Sequence, residues 1–139
     1  MLNLRHVTTA FGFSSARAFN QFGSTLNTGL ADAGFSGTRA ILQGSAVTGR
    51  NFRTGQAFNA ASDFDIALAS PAILNRARQL GIGLRSGGTR TGPLTNAQIN
   101  QLGLGGLRSN LQNSAGREVN FMIFGDAAQA AARAPSIGF

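Results

Sequence analysis

The 139-residue sequence contains no cysteine. Disulfides, thiolate zinc sites and cysteine nucleophiles are therefore excluded, and the redox compartment is left open. Lysine is absent too, so all twelve basic side chains are arginine. There are only five acidic residues, and the formal net charge is +7. The one histidine, His6, has no visible base or nucleophile partner in the sequence and reads as structural or terminal. No uninterrupted apolar run is long enough to cross a membrane. Met1-Leu-Asn-Leu-Arg-His opens no apolar stretch of the signal-peptide kind. No repeat period is visible, and no Gly-Lys-Ser/Thr phosphate loop occurs.

What is present is positive charge, spread from Arg5 to Arg133. Such a surface attracts polyanions: RNA, nucleotides or an acidic protein partner. Arginine forks suit phosphate where geometry matters. A GC-rich genome would account for the missing lysine but less well for the shortage of acids. The length fits one domain with a real core. The pattern of apolar runs predicts an α/β (α+β) domain, a small mixed β-sheet of at least three strands with flanking helices. Residues 1–37 read as a helical N-terminal part, and residues 38–139 as the core.

The organising stretch is residues 38–70. A first strand is predicted over 38–44 and ends at Gly44-Ser45. A polar, glycine-bearing stretch follows. Asp63 and Asp65 then open a second strand, 64–69. Two of the five acids stand one residue apart at a strand start. Residues i and i+2 share a strand face, so both carboxylates aim at one point. Like charges held that close repel and resist ionisation. A divalent cation removes the conflict, and Mg²⁺ prefers carboxylate oxygens plus substrate phosphates. A helix N-cap or solvated turn would also account for the aspartates, and an ordinary turn for Gly-Ser.

Gly-Ser, a spacer, then Ser-Asp-x-Asp-apolar resembles the nucleotidyltransferase superfamily typified by DNA polymerase β. The resemblance implies that Gly44 and Ser45 hold a triphosphate and that Asp63 and Asp65 bind a catalytic Mg²⁺ (or Mn²⁺). The spacer here is longer than the family usually has, which implies an inserted loop carrying Arg50 and Arg53. Many members carry a third carboxylate on a later strand flanked by apolar residues. The later strand here is 117–124, REVNFMIF, and the flanking pattern falls on Asn120. Either the third ligand has shifted to Glu118, two residues earlier on the same strand face, or the site works with two carboxylates.

Between these strands, Ser70-Pro71 starts a helix over 72–80 that Gly81 ends. Residues 81–93, GIGLRSGGTRTGP, read as a loop. Its free amides and the guanidinium groups of Arg85 and Arg90 suit phosphate, and a flexible linker is the plainer reading. Thr95 and Gln98 form a capping box for a helix over 96–102. Gly103, Gly105 and Gly106 break it, and a short helix over 107–114 follows. Asp126 caps an alanine-rich helix over 127–134, which Pro135 stops; 136–139 reads as a tail. In the N-terminal part, Ser14 or Ser15 caps a helix to about Phe22, and a second short helix covers 25–33.

These readings lead to one expected function and two alternatives. The expected function is transfer of a nucleoside monophosphate from a nucleoside triphosphate to an acceptor, RNA such as tRNA or a protein. The stretch 43–94 and the REVNFMIF strand also resemble C-terminal nucleotidyltransferase-like domains of bacterial polymorphic toxins. That resemblance implies a delivered effector acting in the cytoplasm of a competitor bacterium, with an acidic cognate immunity protein. The alternatives are a metal-independent ribonuclease toxin using His6 or a hydroxyl, and a non-catalytic basic module that binds RNA or protein.

Overall fold

The computed structural model describes residues 10–139; His6 and Arg5 lie outside the described residues. In chain order the elements are α1 (Ala16–Asp32), β1 (Arg39–Gln43), α2 (Ser45–Thr48), β2 (Phe64–Ala69), α3 (Pro71–Gln79) and β3 (Leu84–Arg85). After a single 3₁₀ turn come β4 (Arg90–Pro93), α4 (Asn96–Gln101), α5 (Gly105–Ala115), β5 (Val119–Phe124), α6 (Ala127–Arg133) and β6 (Ser136–Gly138).

The strands form one mixed sheet in the order β3-β4-β5-β2-β1-β6. The two most apolar strands, β2 and β5, lie side by side at its centre and run parallel, with Asp65 opposite Asn120. Strand β1 is antiparallel to β2 and sets Gln43 opposite Asp65. The end of β1 and the beginnings of β2 and β5 therefore fall together at one end of the sheet.

The alternation of side chains divides the core in two. Leu42, Phe64, Ile66, Phe121 and Ile123 face one way, into the main core shared with Leu26, Leu30, Ile73, Ile99 and Leu111 of the helices. Ile41, Ala67, Ala69 and Phe124 face the other way and are covered through Ala130 of α6. Asp63, Asp65 and Asn120 belong by alternation to this second, thinly covered side. Gln43 also belongs to it and is buried. Its side-chain amide donates to the Ala130 carbonyl (2.7 Å) and to Ser136 Oγ (3.0 Å), tying α6 and β6 to β1.

The helix starts follow their caps. Ser70 Oγ accepts from the Ile73 amide (3.1 Å) and Pro71 opens α3. Thr95 and Gln98 form the reciprocal box of α4, and Asp126 accepts from the Gln129 amide (2.8 Å). Gly81, at φ +80°, follows Leu80, the C-cap of α3, in the left-handed region that glycine favours.

Four stretches differ from the expectation. Ala16–Asp32 is one continuous helix capped by Ser15, where two were expected. Gly23 and Gly29 sit within it where Phe139 and Leu107 approach, so they serve close packing and do not break the helix. Residues 84–93 are a β-hairpin, not a loop, with Leu84 opposite Thr91 and Arg85 opposite Arg90. Its pairing to β5 is irregular between Arg90 and Pro93. There the buried Thr91 hydroxyl accepts from the Ile123 amide (3.0 Å) and replaces the missing backbone partner. Gly105 and Gly106 lie inside the first turn of α5 and do not precede it. Residues 136–138 are an edge strand on β1, not a tail.

Candidate active site

The apolar run of β1 stops at Gln43, and Gly44 turns the chain with φ 78° and ψ −136°. That conformation favours glycine. A Cβ at Gly44 would lie 3.6 Å from Asp65 Oδ2, so this turn sits directly beside the second aspartate. The Gly44 amide is not free for a ligand, because it donates to the Pro135 carbonyl (3.1 Å). The expected backbone contact from Gly44 to a phosphate is therefore replaced by a conformational role. Ser45 follows as the first residue of α2 and lines a cavity of about 310 Å³ together with Asp63 and Asp65.

The loop between α2 and β2 forms the rest of that cavity, through Asn51, Gln56, Asn59 and Ser62. It has its own internal order. Arg50 pairs with Ala57 as an isolated bridge. Asn51 Oδ1 accepts from the amides of Arg53 and Thr54, both at 2.9 Å. The returning arm is fastened by Arg117, at the head of β5. Its Nη1 donates to the carbonyls of Asn59 (3.0 Å) and Ser62 (2.7 Å). The same guanidinium lies 4.5 Å from the Phe58 ring centre and 5.0 Å from that of Phe64. Nothing in the local sequence around Arg117 marks this clamp, since both partners come from the loop.

Asn120 joins the two aspartates. Its Nδ2 donates to Asp63 Oδ2 (3.1 Å) and lies 3.5 Å from Asp65 Oδ1. Among the described residues the one ion pair is Arg108 with Glu118, at 3.7 Å, so neither aspartate has an arginine within bonding distance. The Asp65 carboxyl is raised above its ordinary value. Desolvation in the crowded end of the sheet is the main cause, the Asn120 hydrogen bond opposes it, and the Asp63 charge adds to it. Even so, the Asp65 side chain keeps an open face to the cleft.

The sequence-derived site residues thus divide. Gly44, Ser45, Asp63, Asp65 and Asn120 come together. Glu118 is turned to Arg108, and among the described residues no third His, Cys, Asp or Glu joins the pair. Arg85 and Arg90 are also elsewhere. Arg90 is opposite Phe124, four residues along β5 from Asn120, which is roughly 13 Å away at strand spacing. Two arginines without an assigned role are nearer: Arg53 and Arg133 line a second cleft, of about 430 Å³, that shares Asp65 and Asn120.

Two carboxylate oxygens reaching the same amide nitrogen make a convergent pair of hard donors. With no ion pair to either carboxylate among the described residues, this pair fits one Mg²⁺ whose remaining ligands are water and phosphate oxygens. Comparison with protein-family models, curated proteins and solved structures gave no match.

Proposed function

We propose that this chain is a nucleotidyltransferase that moves a nucleoside monophosphate from a nucleoside triphosphate to a hydroxyl acceptor. The observation that carries the reading is the meeting of Asp63 and Asp65 with the Gly44-Ser45 turn around one cavity. Asp63 and Asp65 would hold Mg²⁺ (or Mn²⁺), which when bound offsets triphosphate charge and polarises the α-phosphate. The Ser45 hydroxyl and the amide side chains of Asn51 and Gln56 are the polar groups available to the phosphates. Arg53 follows Asn51 by two residues on the same loop, and its amide is held by the Asn51 side chain, which supports a role against charge on the leaving pyrophosphate. The acceptor oxygen forms a bond to the α-phosphorus as the bond to the bridging oxygen breaks. Pyrophosphate leaves, and the hydroxyl proton passes to water.

The wider setting follows from the resemblance to polymorphic toxin domains. The chain would act in the cytoplasm of a target bacterium and be held inactive in the producer by an acidic immunity protein. Its charge of +7 is in keeping with both an RNA acceptor and such a partner.

The test is a labelling assay with Mg²⁺, each α-labelled nucleoside triphosphate, bacterial RNA and protein extract. Label is expected in one fraction only, and is lost with EDTA and with the Asp63→Ala/Asp65→Ala double variant. No label, with RNA shortened equally by both proteins, would replace this reading with a metal-independent ribonuclease. One observation favours a non-catalytic RNA-binding module: the Asn120 amide relieves the carboxylate repulsion without a cation. That module would bind RNA in a salt-sensitive way and lose nothing with Asp63→Ala.

A further inference from the structure

Phe52 stands at the tip of the inserted loop with 98% of its surface exposed. The loop does not depend on it. Asn51 accepts the next amides, and Arg50 Nη1 donates to the Gly55 carbonyl (2.9 Å), so the tip is held by polar contacts on either side of Phe52. Among the described residues it enters no aromatic pair, although Phe11, Phe13, Phe19, Phe22, Phe58, Phe64 and Phe139 all do. A fully exposed phenylalanine on an ordered loop contributes no core burial and presents a bare ring face.

That ring borders the 430 Å³ cleft beside Asp65 and Asn120. The walls and floor are apolar, from Met122, Pro93 and Pro135. Its charged rim is mostly positive, from Arg53 and Arg133. Arg133 also borders the adjoining hollow that contains Arg90, Ser86 and Thr89, so the two depressions meet at its side chain. Arg90, Arg133 and Arg85 are close enough to repel one another: Arg90 is lowered from the ordinary arginine value, first by desolvation and then by those two charges. Among the described residues none of the three has an ion-pair partner. Clustered like charges destabilise a fold unless a polyanion shares the surface.

We infer that this cleft docks a single-stranded RNA segment, with one unpaired base stacked on Phe52 and the following phosphates carried by Arg133 and Arg90. An aromatic face beside spaced arginines is the chemistry that recognises unpaired bases. A duplex would bury its base faces and offer Phe52 nothing to stack on. That the strand is the acceptor rests on the nucleotidyl-transfer reading. It would bring a sugar hydroxyl to Asp65 from the cleft that Asp65 shares with Asn120, and RNA offers that hydroxyl at both 2′ and 3′ of an exposed end.

The test separates docking from transfer by measuring binding in EDTA. The full chain is titrated into end-labelled single-stranded RNA of about 12 nucleotides and into the same RNA as a blunt duplex, followed by fluorescence anisotropy. The single strand is expected to bind more tightly than the duplex. Phe52→Ala is expected to weaken the single strand by about 5- to 150-fold, the effect of removing one stacking ring. Phe52→Trp restores the binding. Arg133→Gln lowers the slope of log K against log salt by about 0.7, one single-strand phosphate. The thermal midpoint of Phe52→Ala stays that of the wild type, which excludes misfolding. Equal binding of single strand and duplex, or Phe52→Ala binding as the wild type does, would overturn the docking site. So would a labelled protein acceptor that is lost with Phe52→Ala while RNA binding is unchanged. Phe52-dependent RNA binding in a chain that transfers no label supports the docking site and overturns the transfer reading alone.

Discussion

Asn120 donates a hydrogen bond to Asp63 at 3.1 Å from the strand position directly opposite Asp65. A carboxylate at this place would add a third negative charge to a pair already in conflict. The amide does the reverse: one nitrogen serves both carboxylates, and the charge on the cluster stays low. A cation at the pair then has to compete with a neutral donor, and it gains only two charged ligands.

Asn120→Asp tests this balance. In EDTA the variant loses the donor and gains a repulsion, and stability is expected to fall by about 1.5–3 kcal/mol, the scale of a hydrogen bond to a charged group. Added Mg²⁺ is expected to restore the thermal midpoint of the variant more than it raises that of the wild type. A midpoint that ignores Mg²⁺ in both proteins would mean the pair is not a cation site.

The raised Asp65 carboxyl sets a pH dependence. The folded chain holds this proton more tightly than the unfolded chain, whose ordinary value is 3.8. The stabilisation from Asp65 is therefore complete below that value and is lost as pH rises through the raised native value. Asp65→Asn removes the loss. In EDTA its thermal midpoint is expected to exceed that of the wild type at neutral pH, and the difference is expected to shrink towards zero in acid. A constant difference across the range would show that the two side chains differ in packing and not in ionisation.

Arg117 connects the loop to the sheet, through two carbonyls and two ring faces. Arg117→Ala is expected to cost about 2–4 kcal/mol in urea denaturation, from hydrogen bonds of a charged donor with cation–π contact added. Arg117→Lys recovers only part, because one ammonium nitrogen can donate to both carbonyls but has no planar guanidinium to lie on both rings. If transfer activity falls more steeply than stability in the lysine variant, the clamp also positions the loop over Asp63.

Much of this arrangement was legible in sequence because its signals are local. The apolar runs of β2 and β5, the Ser70-Pro71 start, the Thr95–Gln98 box and the Asp126 cap each depend on neighbours within four residues. The Asp63–Asp65 pairing depends only on strand alternation. What was missed depends on distant partners. The hairpin 84–93 has the composition of a loop, and it is a strand because β5 pairs with it and Thr91 repairs the mismatch. The distance of Arg85 and Arg90 from the aspartates follows from that pairing, since it fixes them at the other end of β5. The Arg117 clamp and the exposed Phe52 appear only once the inserted loop is folded back.

The glycines of α1 are the clearest case of a local rule overridden by a distant contact, and Gly29 gives a direct test. By helix propensity alone, Gly29→Ala should stabilise α1 by about 1 kcal/mol. A Cβ at this position, however, would enter the space held by the Leu107 side chain of α5. Leu107 is buried, and α1 with α5 closes the main core. Overpacking typically costs about 1–3 kcal/mol, so the net change is expected to be destabilising by about 1 kcal/mol. Combining it with Leu107→Val, which frees a methylene's worth of space at the same contact, is expected to cost less than the sum of the two single changes. Additive losses in that cycle would mean that the two residues do not share the contact. The continuity of α1 would then need a cause other than this close approach.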